Sequence, residues 1–311
     1  MRSILRGEWI STGLKNEKAA PVFRRGFAVR PVRKATLYIT ALGVYEATLN
    51  GRRVGEFVLA PGWTDYDKRL QVQQYDVTPL LKENNELCVA VGRGWYGSRL
   101  GWEQQHPGGD PVAWIAALRM EYADGTAEDI VTDGSWEWAE SNVLCSTIYD
   151  GETADGRARP QDFQPAVCIP RPKDIFIPQE GEEIREQERL SPAALIRTPK
   201  GEAVIDFGQN VTGYVQFSVS GPAGHQVTIR HGEVLDRDGN FYTENLRSAK
   251  AEFNCILAEG ENTFKPRFTF FGFRYIQLIG WPEEIDLNRF TAIAVHSDMK
   301  RTGYFECGNP L

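Results

Sequence analysis

Leu37, Ile39 and Ala41 alternate with their neighbours in TLYITALGVYEATLNGRRVGEFVLAPGWTDYDKR, the period-two pattern of a half-buried strand. The run turns at Asn50-Gly51, the pair that best accepts the positive φ angles of a type I′ hairpin. A second strand pair ends in GRGWYGSRLGW, which sets Trp95, Tyr96 and Trp102 among glycines. Strand-like runs then recur as AWIAALRMEY, DIVTD, EAVIDF, YVQFSVS, QVTIRHGEV, KAEFNCIL, RYIQLIG and FTAIAVHS. Asp-Gly pairs at 124, 133, 150, 155 and 238 punctuate them. Short strands between glycine turns predict an all-β chain of two antiparallel, jelly-roll-like β-sandwich domains with few or no helices. Even EEIREQER (182–189) lacks an amphipathic helical face and is read as an exposed extended strand.

Proline marks the expected division. Pro160, Pro165, Pro170, Pro172, Pro178, Pro192 and Pro199 cluster where a central strand would lose ladder donors. The expected modules are therefore 35–170 and 171–300. Residues 1–34 hold two short strand-like pieces, GEWI and PVFRRGFAV, that could join either one, and 301–311 form a short tail.

Composition narrows the function classes. A chain of 311 residues is long enough for two cores. A formal net charge of −7 opposes a nucleic-acid partner, whose phosphates need a basic surface. No apolar run reaches the roughly 20 residues that span a bilayer. The N-terminus lacks the apolar stretch of a secretory signal. Five scattered cysteines without a C-x-x-C pair suggest free thiols, and hence a cytoplasmic location. Cys88 and Cys255 read as small core residues.

Several motifs dissolve on inspection. Gly92-Arg93-Gly94-Trp95-Tyr96-Gly97 matches G-x-G-x-x-G, but SRLGWEQQHPGGDP follows in place of the helix that a dinucleotide site needs. LDRDGNFYTEN has Gly239 in the wrong place for a calcium loop and reads as a turn at Asp238-Gly239. The four histidines show no metal spacing, and His231 is read as a half-exposed strand residue. PRFTFFGFRY reads as a core strand bulged at Gly272, with Arg267 and Arg274 able to reach a following domain.

Two features suit carbohydrate. The rings of Trp95, Tyr96 and Trp102 on a glycine-cleared loop match the apolar faces of sugars. Asp150, Glu152 and Asp155 crowd six residues of a turn, where oxygen ligands could hold calcium or accept sugar hydroxyls. The plainer reading of that turn is solvated acid, with Arg157 neutralising Asp155.

Taken in order, ITALGVYEATLNGRRVG, LAPGWTDYDKR, GRGWYGSRLGW, VTDGSW and IYDGET resemble the N-terminal β-sandwich of bacterial α-L-rhamnosidases of glycoside hydrolase family 78. DFGQNVTGYVQFSVSGPAG, GEVLDRDGNFYTENLRSAKAEF and PRFTFFGFRY resemble the next module of that family. The likeness spans about residues 8–311. Ala154 stands where the family often has tyrosine, and Phe271 where it often has histidine. The resemblance implies a first module able to bind rhamnose through calcium and acidic loop residues, here Asp150 and Glu152. It also implies that 301–311 leads into an absent (α/α)6 barrel carrying the acid and base of an inverting hydrolysis of terminal α-L-rhamnosyl residues. The expected partners are thus an L-rhamnose-containing glycan or glycoside and the missing barrel. The chain itself would be inactive, with no catalytic residue. The alternatives are a stand-alone rhamnose-binding lectin-like module and, last, an enzyme using Asp150, Glu152 and Asp155.

Overall fold

The computed structural model describes residues 2–15, 18–101, 109 and 111–309. Its strands form three sheets, and a single one-turn helix, Gly94–Gly97, is the only α-helix among the described residues. Asn50 and Gly51 adopt φ of 55° and 75°, the double positive value of the expected hairpin between Val44–Leu49 and Arg52–Arg53.

The first module packs a seven-stranded sheet on a six-stranded one. In the former, Trp9–Ser11, Ala113–Glu121, Lys34–Leu42 and Leu70–Asp76 lie side by side. The latter contains Glu137–Glu140, Pro21–Ala28, Asn84–Gly92 and Val44–Leu49. Both halves of the 1–34 segment therefore join this module. Ile10, Leu37, Ile39, Trp114 and Leu118 from one sheet meet Phe23, Tyr45, Leu49, Val89 and Trp138 from the other. Ala113, Ile115 and Ala117 point the opposite way, under Ile4, Trp9, Tyr66 and Tyr96. AWIAAL is apolar at successive positions because this sheet is covered on both faces.

The second module is one curled ten-stranded sheet. Its spine is the 19-residue strand Ala203–Gly221, which changes partners along its length. Ala203–Asp206 pairs with Tyr275–Leu278, Gly213–Phe217 with Phe290–Ala294, and Phe217–Gly221 with Gly260–Phe264. The register slips between Asp206 and Val211, so the bulge falls on this strand and not at Gly272. Phe217, Phe253, Phe264 and Phe290 fill the curl. EEIREQER contributes Ile184–Leu190, an edge strand whose charges guard the open side.

The two modules interleave around the expected boundary. The hairpin Val143–Thr147 and Gly151–Asp155 leaves the first module and pairs in parallel with Glu252–Ile256 of the second. The proline-rich stretch then returns to the first module as short edge strands Gln164–Pro165, Val167–Ile169 and Phe176–Pro178. Edge positions tolerate the missing N–H groups of Pro165 and Pro178. The chain thus crosses between modules repeatedly, and Val44, Val58, Leu59 and Ala90 of the first share an apolar cluster with the second.

One further expectation, a half-exposed His231, is corrected by packing. His231 is 1% exposed, stacked on Phe271 at 3.8 Å, because it shares strand parity with buried Val227 and Ile229. Arg274 pairs with Asp206 of its own sheet, and Arg267 reaches back to Glu46 of the first module. All five cysteines are free, Cys255 deep in the core and Cys88 partly covered.

Candidate functional site at the junction of the modules

The aromatic loop begins where Gly92 ends its strand. A Cβ on Gly92 would lie 2.4 Å from the Phe268 ring, so glycine lets the second module press against the first. The chain then turns through Gly94 at φ 51° into one helical turn, closed by Arg93 Nε donating to the Gly97 carbonyl at 2.8 Å. This turn separates the two rings that sequence grouped together. Trp95 is half-buried, nearly parallel to Trp63 at 6.4 Å and tilted against Phe270 at 6.1 Å. Tyr96 is 4% exposed and meets Tyr66 edge-on, so its ring is core and offers no face to a ligand. Trp102 lies outside the described residues. Trp63, inside LAPGWTDYDKR but not singled out there, is the exposed ring of the pair.

The three carboxylates of the 150–155 turn have separate partners. Asp150 accepts from Arg99 Nη2 at 3.0 Å, and the same nitrogen donates to the Ser248 carbonyl at 2.9 Å. Asp155 holds Arg157 through both carboxylate oxygens, and that guanidinium keeps its carboxyl below the usual range. Glu152 is 2% exposed and accepts the backbone N–H groups of Arg267 and Phe268. Burial pushes its carboxyl up to about 7, opposed by those N–H donors and by the Arg267 charge.

This donor set does not fit a shared calcium ion. Glu152 spends its lone pairs on backbone donors inside the junction, and a guanidinium already faces Asp150. Among the described residues no three His, Cys, Asp or Glu side chains are grouped to hold a metal. Glu152 works instead as an internal post: it grips the 267–268 backbone while Phe268 covers Gly92 and Arg267 Nε donates to Glu46 at 2.6 Å.

Beside Asp150 the modules leave an open cleft of about 460 Å³ lined by Gly101, Tyr149 and residues 245–249. The Tyr149 hydroxyl accepts from the Gly101 N–H at 3.2 Å, and Arg99 ties the Asp150 side to the Ser248 side. Sequence reasoning reached Asp150 but gave no role to Arg99, Tyr149, Asn245 or Leu246, although GRGWYGSRLGW, IYDGET and the TENLRSA run that contain them were all singled out as motifs. A larger opening, about 620 Å³, lies between Trp138–Ser141 and the 157–164 loop, where Glu140 and Asp162 share the wall with Arg157 and Arg159.

Two family models match in succession. The alpha-L-rhamnosidase N-terminal domain covers residues 30–185, and the bacterial alpha-L-rhamnosidase concanavalin-like domain covers 196–296. An alpha-L-rhamnosidase of Streptomyces avermitilis is 41% identical over 91% of this chain, and one of Alteromonas is 32% identical over 92%. The native Aspergillus terreus enzyme superposes with a TM-score of 0.92 at 37% identity, over 98% of this chain and 38% of that one. The Streptomyces avermitilis enzyme complexed with L-rhamnose gives 0.88 at 38% identity, over 94% of this chain and 30% of that one. The chain spans 29% and 33% of the two curated relatives' lengths. It belongs to the bacterial α-L-rhamnosidase family, of which it comprises the N-terminal and concanavalin-like domains.

Proposed function

We propose that these residues form the supporting and sugar-recognising part of an α-L-rhamnosidase, whose inverting hydrolysis of terminal α-L-rhamnosyl groups is carried out by a region that this chain does not cover. The observation that carries the reading is the match to two successive family domains over about 30% of the relatives' lengths. The acids support it. Asp150, Glu152 and Asp155 are each engaged by cations or backbone donors, which is poor placement for a pair working across a glycosidic bond. Glu140 and Asp162 lie on an open surface shared with two arginines.

An aryl α-L-rhamnoside offered to the 311-residue chain tests this reading. The expected result is no turnover above buffer. Turnover abolished by Glu140→Gln or Asp162→Asn would place chemistry here and overturn it.

A further inference from the structure

We propose that the cleft between Tyr149 and residues 245–249 is a metal-independent binding site for a 6-deoxy sugar ring. The choice of sugar rests on the rhamnosidase reading, whereas the cleft stands on its own geometry.

Its volume, about 460 Å³, accommodates one sugar unit with surrounding water. Its lining is mixed in the way a sugar demands. Tyr149 offers an aromatic ring, Leu246 and Ala249 offer aliphatic surface, and Asn245, Arg247 and Ser248 bring polar groups to the lining, the Asn245 amide also donating to Glu233 at 3.4 Å. Among the described lining residues there is no carboxylate, so nothing in that wall calls for a cation. Leu246 is half-buried and packs against the second module's core, which fixes an apolar spot in the cleft lining. A C6 methyl fits that spot, whereas a C6 hydroxyl would lose its water without gaining a partner.

The two sides are tied by backbone bonds from the Ala251 and Glu252 N–H groups to the Tyr149 and Asp150 carbonyls, and by a side-chain brace. Arg99 binds Asp150, next to Tyr149, and the Ser248 carbonyl, in the opposing wall. Gly101 N–H fixes the Tyr149 hydroxyl. Arg99 and Asp150 are therefore positioning residues. A cleft braced in this way needs little reorganisation to accept a ligand, and that lowers the entropic cost of binding.

The test is an amide-resolved NMR titration of the full chain with methyl α-L-rhamnoside, repeated with EDTA. Saturable shifts at Gly101, Tyr149, Ser248 and Ala249, unchanged by EDTA, are expected. Asn245→Ala, at an exposed position that leaves the fold intact, should weaken binding about tenfold, the scale of one lost polar contact. Methyl α-L-mannoside, which adds only the C6 hydroxyl, should also bind about tenfold more weakly. Arg99→Gln should weaken binding and broaden the Ser248 and Tyr149 signals together, a readout that lost contact alone would not give. No saturable shift, shifts confined to the residues around Trp63, loss of binding on EDTA, or displacement by inorganic phosphate would each overturn the site. None of these outcomes bears on hydrolysis, which is read by turnover.

Discussion

The Glu152 carboxylate accepts the Phe268 N–H at 2.9 Å inside the joint between the two modules. One residue earlier, a Cβ on Gly151 would lie 1.8 Å from the Glu252 carbonyl, so the backbones touch where the post stands. Glu152→Ala strands two buried N–H groups and should destabilise the chain by about 2–4 kcal/mol. Glu152→Gln, which keeps an acceptor oxygen, should cost clearly less. Denaturant melts decide between them, and equal losses would remove the post from the account.

The same carboxyl gives a pH signature. Its folded pKa, about 7, lies above the ordinary 4.5, so folding takes up a proton between those values. Its stabilising contribution is complete below about 4.5 and fades as pH rises to 7, by at most about 3 kcal/mol. Relative to Glu152→Gln, the native chain should therefore gain stability between pH 7 and 4.5. A flat difference would show that the backbone donors outweigh burial.

His231 works in the opposite direction. Burial lowers its pKa from 6.5 to about 3, so the folded chain holds it neutral. That contribution is complete above about pH 6.5 and is lost as pH falls toward 3. His231→Phe should flatten this acid limb. It should cost little at neutral pH, because Nε2 has no partner among the described residues and the Ala251 carbonyl also accepts the His231 backbone N–H. Thermal melts across the pH range measure both effects.

Glycine substitutions separate close approach from backbone strain. Gly151→Ala drives a methyl into the Glu252 backbone at a φ of 103°, and Gly92→Ala drives one into Phe268. Each should cost more than about 2 kcal/mol. Gly51→Ala, with positive φ but nothing within 4 Å, should cost about 1 kcal/mol. Melting temperatures that fail to rank Gly51→Ala as mildest would contradict these contacts.

Arg267 and Glu46 link the modules through a partly exposed pair, with side chains 30% and 18% accessible. A double-mutant cycle should return a coupling of about 1 kcal/mol that shrinks with salt. Zero coupling at low salt would make the pair incidental.

Much of this fold was legible as alternation and turn chemistry: the Asn50-Gly51 hairpin, the sandwich strands, and EEIREQER as a strand. The 143–155 hairpin was not, because its partner at 252–256 lies about a hundred residues away and only packing chooses it. Strand parity did carry His231, which alternates in step with Val227 and Ile229, but a polar name argued for exposure. In the aromatic loop, adjacency could not say that Tyr96 turns inward while Trp95 stays near the surface. The acidic turn misled for a related reason: neighbours in sequence point to different partners once Gly151–Asp155 becomes a strand.

Equilibrium unfolding in urea, followed by tryptophan fluorescence and far-UV circular dichroism, tests most directly whether the crossing hairpin and shared core make the two sandwiches one unit. Seven of the eight tryptophans lie before residue 139 and only Trp281 beyond, so fluorescence reports mainly on the first module, while dichroism reports on all three sheets. Coincident single transitions are the expected result; two separated transitions in the native chain would contradict it.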